Sequence, residues 1–178
     1  NSYTTNSGYT INWGDGSTTN SFGSTFTSTT HRYNKAGLFN ITFIITGSNG
    51  CTNTKTYKAF NGSNPAFGFN SPGSTTGCVG DSFTFKIDSA TISKNAPGTV
   101  YTFQFDDGTP TFSYVQPLSN YKIPHTFNLT SCGHTAGTTK NSWSLLGYAQ
   151  NPCGKTSQTL YSIYISQKSK SIFIVPDT

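Results

Sequence analysis

This sequence predicts an all-β chain of two β-sandwich units in succession, on three observations. First, its composition disfavours helix: of 178 residues none is Glu or Met, 18 are Gly, and 15% are aromatic. Strong helix formers are scarce, while β-branched and aromatic side chains suit a pleated, half-buried surface. The aromatic content also separates the chain from disordered segments, which bury too little apolar surface to offset ordering entropy. Second, apolar and polar residues alternate over short runs bounded by turn formers. Third, an Asp-Gly turn recurs, in Trp13-Gly14-Asp15-Gly16 and again in Phe105-Asp106-Asp107-Gly108. Asp15 and Asp107 lie 92 residues apart, about the length of one small domain.

Along the chain, Tyr9, Ile11 and Trp13 alternate as a half-buried strand ending at Asp15-Gly16, which supplies the positive-φ positions of a tight turn. A polar strip leads to His31 and Tyr33, and Lys35-Ala36-Gly37 turns the chain. Phe39, Ile41, Phe43 and Ile45 then share one strand face, and Thr52 to Phe60 reads as the returning partner. Asn61 to Pro65 is a short linker of turn formers. Ala66 to Pro72 reads as an edge strand, and Phe83/Phe85/Ile87 and Tyr101/Phe103/Phe105 as clean alternations. His125-Thr126-Phe127 echoes His31-Arg32-Tyr33, and an insertion over Thr130 to Asn141 has no counterpart in the first unit. Trp143, Leu145 and Thr159 to Ser166 complete the second unit.

The formal charge is +5, carried by Arg32 and lysines scattered along the chain. A nucleic-acid binder concentrates such residues in a stripe or loop, so nucleic acid is not an expected partner. An anionic polysaccharide is compatible with so mild a field, as is a merely acid-poor surface. No apolar run reaches the ~20 residues of a membrane-spanning helix. The four cysteines, Cys51, Cys78, Cys132 and Cys153, lack Cys-x-x-Cys spacing, which speaks against zinc ribbons and thioredoxin-type chemistry. An even number of isolated cysteines suits disulfides in an oxidising compartment.

The run Trp13-Gly14-Asp15-Gly16, then His31-x-Tyr33, Gly37 and the Phe39 to Ile45 strand, resembles the PKD (polycystic kidney disease) domain family. The second copy keeps Asp107-Gly108 and His125-x-Phe127 but lacks the Trp and first Gly. The resemblance implies Ig-like, PKD-type β-sandwiches in tandem. It implies a PKD-like domain over 1–62 lacking its first strands, and a second over 63–168 with an inserted loop near 130–141. Residues 169–178 would open a further unit, since Ser171 to Pro176 is similar to Ala66 to Pro72. On this reading the chain is a window on a longer array, with neighbouring repeats or copies of itself as partners. Such arrays resemble stalks of Bacteroidota surface adhesins and gliding-motility proteins exported by the type IX route, as do the Gly77-Cys78, Ser131-Cys132 and Pro152-Cys153 segments.

Candidate chemistry is sparse. Asp106 and Asp107 are adjacent carboxylates able in principle to bind calcium or act as an acid–base pair, but Asp15 and Asp107 equally suit turns that satisfy local N–H groups. His31 and His125 recur at one structural position, which favours an architectural role over metal binding or catalysis. No Gly-x-Ser-x-Gly elbow is present. Tyr3, Tyr9, Tyr114, Tyr121, Tyr148 and Tyr164 offer stacking faces for sugars or simply pack across strands. Of the three cysteine connectivities, sandwich order favours Cys78–Cys132, with Cys132–Cys153 as rival. Asn40, Asn61 and Asn128 begin N-glycosylation triplets, and Asp88-Ser89-Ala90 resembles a Bacteroidota O-glycosylation site at Ser89.

No cofactor or catalytic residue is expected. The expected function is a non-catalytic segment of a secreted, cell-surface protein, extending a filament for adhesion or gliding motility. The alternative is an accessory carbohydrate- or protein-binding module of a secreted hydrolase.

Overall fold

The computed structural model of the chain describes residues 5–70 and 73–170. Strand makes up 50% and helix 2%, so the chain is all-β as its composition dictates. It divides into two compact units: Asn1–Ser63 with Ala96–Gly98, and Asn64–Asn95 with Thr99–Thr178.

The first unit is one antiparallel sheet of β1 (Asn6–Asn12), β2 (Asn20–Phe22), β3 (Gly37–Gly47) and β4 (Thr52–Asn61), in the order β2-β1-β3-β4. Tyr9 pairs with Phe22 and Ile45, Ile11 with Phe43, and Ile41 with Tyr57. Side chains alternate across a strand, so this register puts Tyr9, Ile11, Ile41, Phe43 and Ile45 on one face and Thr10, Thr42, Thr54 and Thr56, with Ile44 among them, on the other. The irregular segment 23–36 covers the apolar face. Phe26 packs on Tyr9, Phe22 and Phe43, and Tyr33 stacks on Phe39 at 4.3 Å between ring centroids. Ile11, Trp13 and Ala96 are the buried apolar side chains of this unit among the described residues.

The second unit is a two-layered sandwich. β5 (Thr76–Cys78), β7 (Val100–Phe105), β8 (Phe112–Val115), β12 (Trp143–Asn151) and β13 (Gly154–Ser166) form a sheet in the order β5-β13-β12-β7-β8, with β5 parallel to β13. The other layer pairs β6 (Ser82–Lys86) with β9 (Lys122–Thr126). Phe85, Ile87 and Ile123 from this layer meet Phe103, Phe105, Leu145, Ile163 and Ile165 from the larger sheet in one core. Each such side chain taken from water contributes roughly 1.5–3 kcal/mol. The buried Tyr101 hydroxyl accepts from Asn95 Nδ2 at 2.8 Å, and no buried side-chain polar atom among the described residues lacks a partner.

Three features depart from the sequence reading. Ala66 to Pro72 makes only an isolated bridge, Phe69 to Ile87, although Phe67 and Phe69 pack on the core (71–72 lie outside the described residues). A one-turn helix, α1 (Ser89–Ile92), is capped by the Asp88 carboxylate, which accepts from Ala90 N and the Thr91 hydroxyl. The insertion holds its own hairpin, β10 (Thr135–Ala136) and β11 (Thr139–Lys140). Of the expected opening strand at 169–178, residues 171–178 lie outside the described residues.

The strand order β2-β1-β3-β4 of the first unit corresponds to β8-β7-β12-β13 of the second. Ile11 sits opposite Phe43 as Phe103 sits opposite Gly147. A side chain at Gly147 would collide with the rings of Phe67 and Phe69, the latter 2.6 Å from its Cβ position. The first unit fills the equivalent place with the Phe43 ring itself, packed on Tyr9 and Phe26. One unit clears room for a covering segment, and the other fills that room from within its own sheet.

The expected disulfides are corrected. Cys51, Cys78 and Cys132 carry free thiols, so neither Cys78–Cys132 nor Cys132–Cys153 is closed. Strand β13 separates the preferred pair. Val79 N donates to Ser166 O on one side of it, and Ser131 N donates to Ile165 O on the other. Two strand spacings, about 10 Å, exceed the ~7 Å reach of a disulfide between Cα atoms. The rival pair is farther apart still: Cys153 adjoins the start of β13 and Cys132 flanks its end.

Candidate functional site: paired aspartate–histidine clamps

Each unit builds the same arrangement around its Asp-Gly turn. The strand before the turn (β1 or β7) delivers an aromatic residue, Trp13 or Phe105, and two residues later an aspartate, Asp15 or Asp107. One carboxylate oxygen of Asp15 accepts from Ser17 N at 3.0 Å and from the Ser17 hydroxyl at 2.5 Å. Asp107 receives Thr109 N at 3.1 Å and the Thr109 hydroxyl at 2.8 Å in the same way. This closed ring lets Asp satisfy the backbone of its own turn. The other oxygen reaches a histidine, from the covering segment in the first unit and from β9 in the second: His31 Nε2 at 2.8 Å from Asp15, and His125 Nε2 at 2.7 Å from Asp107.

The imidazoles are held by rings as well as by charge. His31 lies flat on Trp13, centroids 4.7 Å apart and planes 9° from parallel, while Tyr33 meets it edge-on at 85°. His125 lies on Phe105 at 3.6 Å and 10°, with Phe127 edge-on at 80°. Residues two apart on an extended segment share a face, which is why the His-x-Tyr and His-x-Phe spacings place both rings together. Tyr33 further donates its hydroxyl to Trp13 O at 3.0 Å, and Trp13 Nε1 donates to Asn20 Oδ1 at 2.7 Å. Gly14, at φ +79°, lies so close to strand β3 that a Cβ would overlap the Asn40 carbonyl.

The electrostatics follow the geometry. Hydrogen bonds from the Ser17 hydroxyl and then His31 hold the Asp15 carboxyl well below the usual carboxylate range. Burial pushes Asp107 up, but the Thr109 hydroxyl and His125 together outweigh it and leave the group lowered. Burial, and then the Asp15 charge, raise the Tyr33 hydroxyl.

Asp106 and Asp107 do not cooperate. Asp107 faces His125, whereas Asp106 accepts from Ser144 N at 2.6 Å and the Ser144 hydroxyl at 2.8 Å, with His134 Nε2 at 3.2 Å. Both lie in the bend just after β7, which sends adjacent side chains to different partners, so adjacency in sequence does not bring these carboxylates together. Among the described residues no three His, Cys, Asp or Glu side chains gather as a metal site. The sequence reading found the Asp-Gly turns and the two recurring histidines but missed their pairing. The hydroxyl two residues after each aspartate, in Asp15-Gly16-Ser17 and Asp107-Gly108-Thr109, was the available signal. His134 occurs in the second unit alone and gave none.

Of the remaining candidates, Asn61 is engaged: its Nδ2 donates to Tyr33 O at 3.1 Å and Lys35 O at 2.9 Å, bracing the covering segment. Asn40, Asn128 and Ser89 are exposed. Among the tyrosines, Tyr9 and Tyr121 are packed, Tyr148 lies beneath Lys155 Nζ at 3.6 Å, and Tyr114 and Tyr164 are exposed. Tyr3 lies outside the described residues.

No family model and no curated protein matches the chain. Among solved structures it is similar to the PKD domain of the human VPS10 domain-containing receptor SorCS2. The two are 15% identical over 64% of this chain and 83% of that one, with a TM-score of 0.44. It is also similar to fibronectin(III)-like modules of Clostridium thermocellum CbhA, at 12% identity over 98% of this chain and 87% of that one, with a TM-score of 0.39.

Proposed function

We propose that this chain is a non-catalytic, tandem PKD-type (Ig-like) segment of a large secreted bacterial cell-surface protein. It serves there as a stalk or filament scaffold for adhesion or gliding motility. One observation carries the reading: the groups best suited to chemistry are consumed in holding the fold. Each of the three histidines turns Nε2 to a carboxylate, and each imidazole also lies against an aromatic ring, so all three serve to tie a turn to its surroundings. The Ser144 hydroxyl likewise donates to Asp106. A clamp repeated at the same place in both units is what a structural module needs, since each must keep its turn fixed under load. Neighbouring units of the same kind, or copies of this chain, are the partners this role requires, and none need be nucleic acid.

The test is in-frame removal of this segment from the parent protein in the cell that makes it. A shorter surface stalk, with the tip still displayed and adhesion weakened, is the expected result. Loss of a hydrolytic activity with stalk length unchanged overturns the reading. That outcome would favour the second reading, an accessory carbohydrate- or protein-binding module of a secreted hydrolase, for which an open cleft in the second unit speaks.

A further inference from the structure

The insertion over Thr130 to Asn141 is idle in the scaffold reading, yet it builds a cleft. Residues 130–132 and Asn141 form one wall, and Tyr164 to Gln167, at the end of β13, form the other. The space measures about 600 Å³, within the range of small-ligand sites. Its walls are fixed from behind. The Ser131 hydroxyl donates to Asn141 O at 2.7 Å and accepts from Ile165 N at 2.9 Å, and the Thr130 hydroxyl donates to Ile165 O at 2.8 Å. Asn141 sits in the left-handed region, φ 52°, a conformation Asn tolerates better than most residues. Gly133 N donates to its Oδ1 at 2.8 Å, which orients the carboxamide at the edge of the cleft.

We propose that this cleft binds a neutral oligosaccharide, with a sugar ring against Tyr164 and hydroxyls on the carboxamides of Asn141 and Gln167. Tyr164 is 38% exposed and borders the cleft, which places an aromatic side chain where a sugar could stack. None of the eight lining residues carries Asp, Glu, Lys, Arg or His, so the cleft offers nothing to complement a charged ligand. What it offers is a flat apolar surface flanked by neutral donors and acceptors, the pattern of a sugar's own surface. Charge speaks against anionic ligands: a phosphorylated or uronic ligand would meet no cation among the lining residues. A scaffold needs no such cleft, so the inference stands apart from the stalk reading, and its failure would leave that reading in place.

The experiment titrates the isotope-labelled 178-residue chain with cellohexaose, hexa-N-acetylchitohexaose and, as a charged probe, hexagalacturonate, following amide and side-chain NMR signals. A neutral hexasaccharide is expected to shift the signals of Asn141, Tyr164 and Gln167, with a dissociation constant on the order of 1 mM. Tyr164→Ala should weaken binding about ten-fold or more, Tyr164→Phe should change it by less than about three-fold, and Tyr148→Ala should leave it unchanged. Three outcomes each overturn the proposal. They are no shift from either neutral probe up to about 10 mM, shifts confined to residues outside the cleft, and binding of hexagalacturonate alone.

Discussion

The imidazole of His125 lies flat on the ring of Phe105, centroids 3.6 Å apart and planes within 10°, so stacking fixes its direction before its Nε2 meets Asp107. The equivalent pair in the first unit is looser, at 4.7 Å between His31 and Trp13. Its aspartate is also more open, 15% exposed against 3% for Asp107. The two clamps therefore share one design at different depths.

That difference sets the first prediction. His125→Ala removes a stacked ring and leaves the buried Asp107 carboxylate without one of its donors, an interaction worth about 1.5–3 kcal/mol on its own. Urea unfolding should show a loss of roughly 3–4 kcal/mol in the second unit, packing included. His31→Ala should cost the first unit less. Equal losses at the two positions would contradict the assignment of depth.

The carboxylates give a pH dependence with a definite sign. Asp15 and Asp107 both titrate lower when folded than the ~3.9 of an unfolded aspartate. Their stabilisation is complete above about pH 5, where both states are ionised, and is lost as pH falls from there through the folded values. The melting temperature should drop steeply below about pH 4. Asp107→Asn should lower stability at neutral pH and flatten that acid slope. A variant keeping the wild-type slope would remove Asp107 from the account.

Most of the architecture was legible because alternation and Asp-Gly turns are local signals: Tyr9-Ile11-Trp13 and Phe103-Phe105 state their own periodicity. The recurring histidines were legible through their spacing to Tyr33 and Phe127. What the sequence hid was non-local. Asp106 and Asp107 read as a pair, yet the bend after β7 sends one to Ser144 and the other to His125. Cys78 and Cys132 read as neighbours at one pole, and that is nearly so, but β13 threads between them. Nothing in a string of residues announces which strand will occupy the gap.

The separation of those cysteines is open to direct test. Alkylation of the folded protein without reductant should label Cys51 and Cys132, both exposed, rapidly, and the partly covered Cys78 more slowly. Non-reducing peptide mapping should find neither a Cys78–Cys132 nor a Cys132–Cys153 link. Recovery of either cross-linked peptide would require β13 to lie elsewhere.

The turn itself separates two kinds of glycine. Gly14 and Gly16 both hold a positive φ, +79° and +81°, so a side chain at either meets the strain of the left-handed region, about 1–2 kcal/mol. Gly16 faces open space and has no other reason to be Gly. At Gly14 a methyl group would also strike the Asn40 carbonyl in the middle of β3, whose place is fixed by pairing with β1 and β4. Backbone on both sides cannot yield as the end of a flexible side chain would. Gly16→Ala is thus expected to cost the first unit about 1 kcal/mol and Gly14→Ala about 2–4 kcal/mol. Thermal unfolding of the two variants side by side decides it, because equal losses would mean that β3 does not press on the turn.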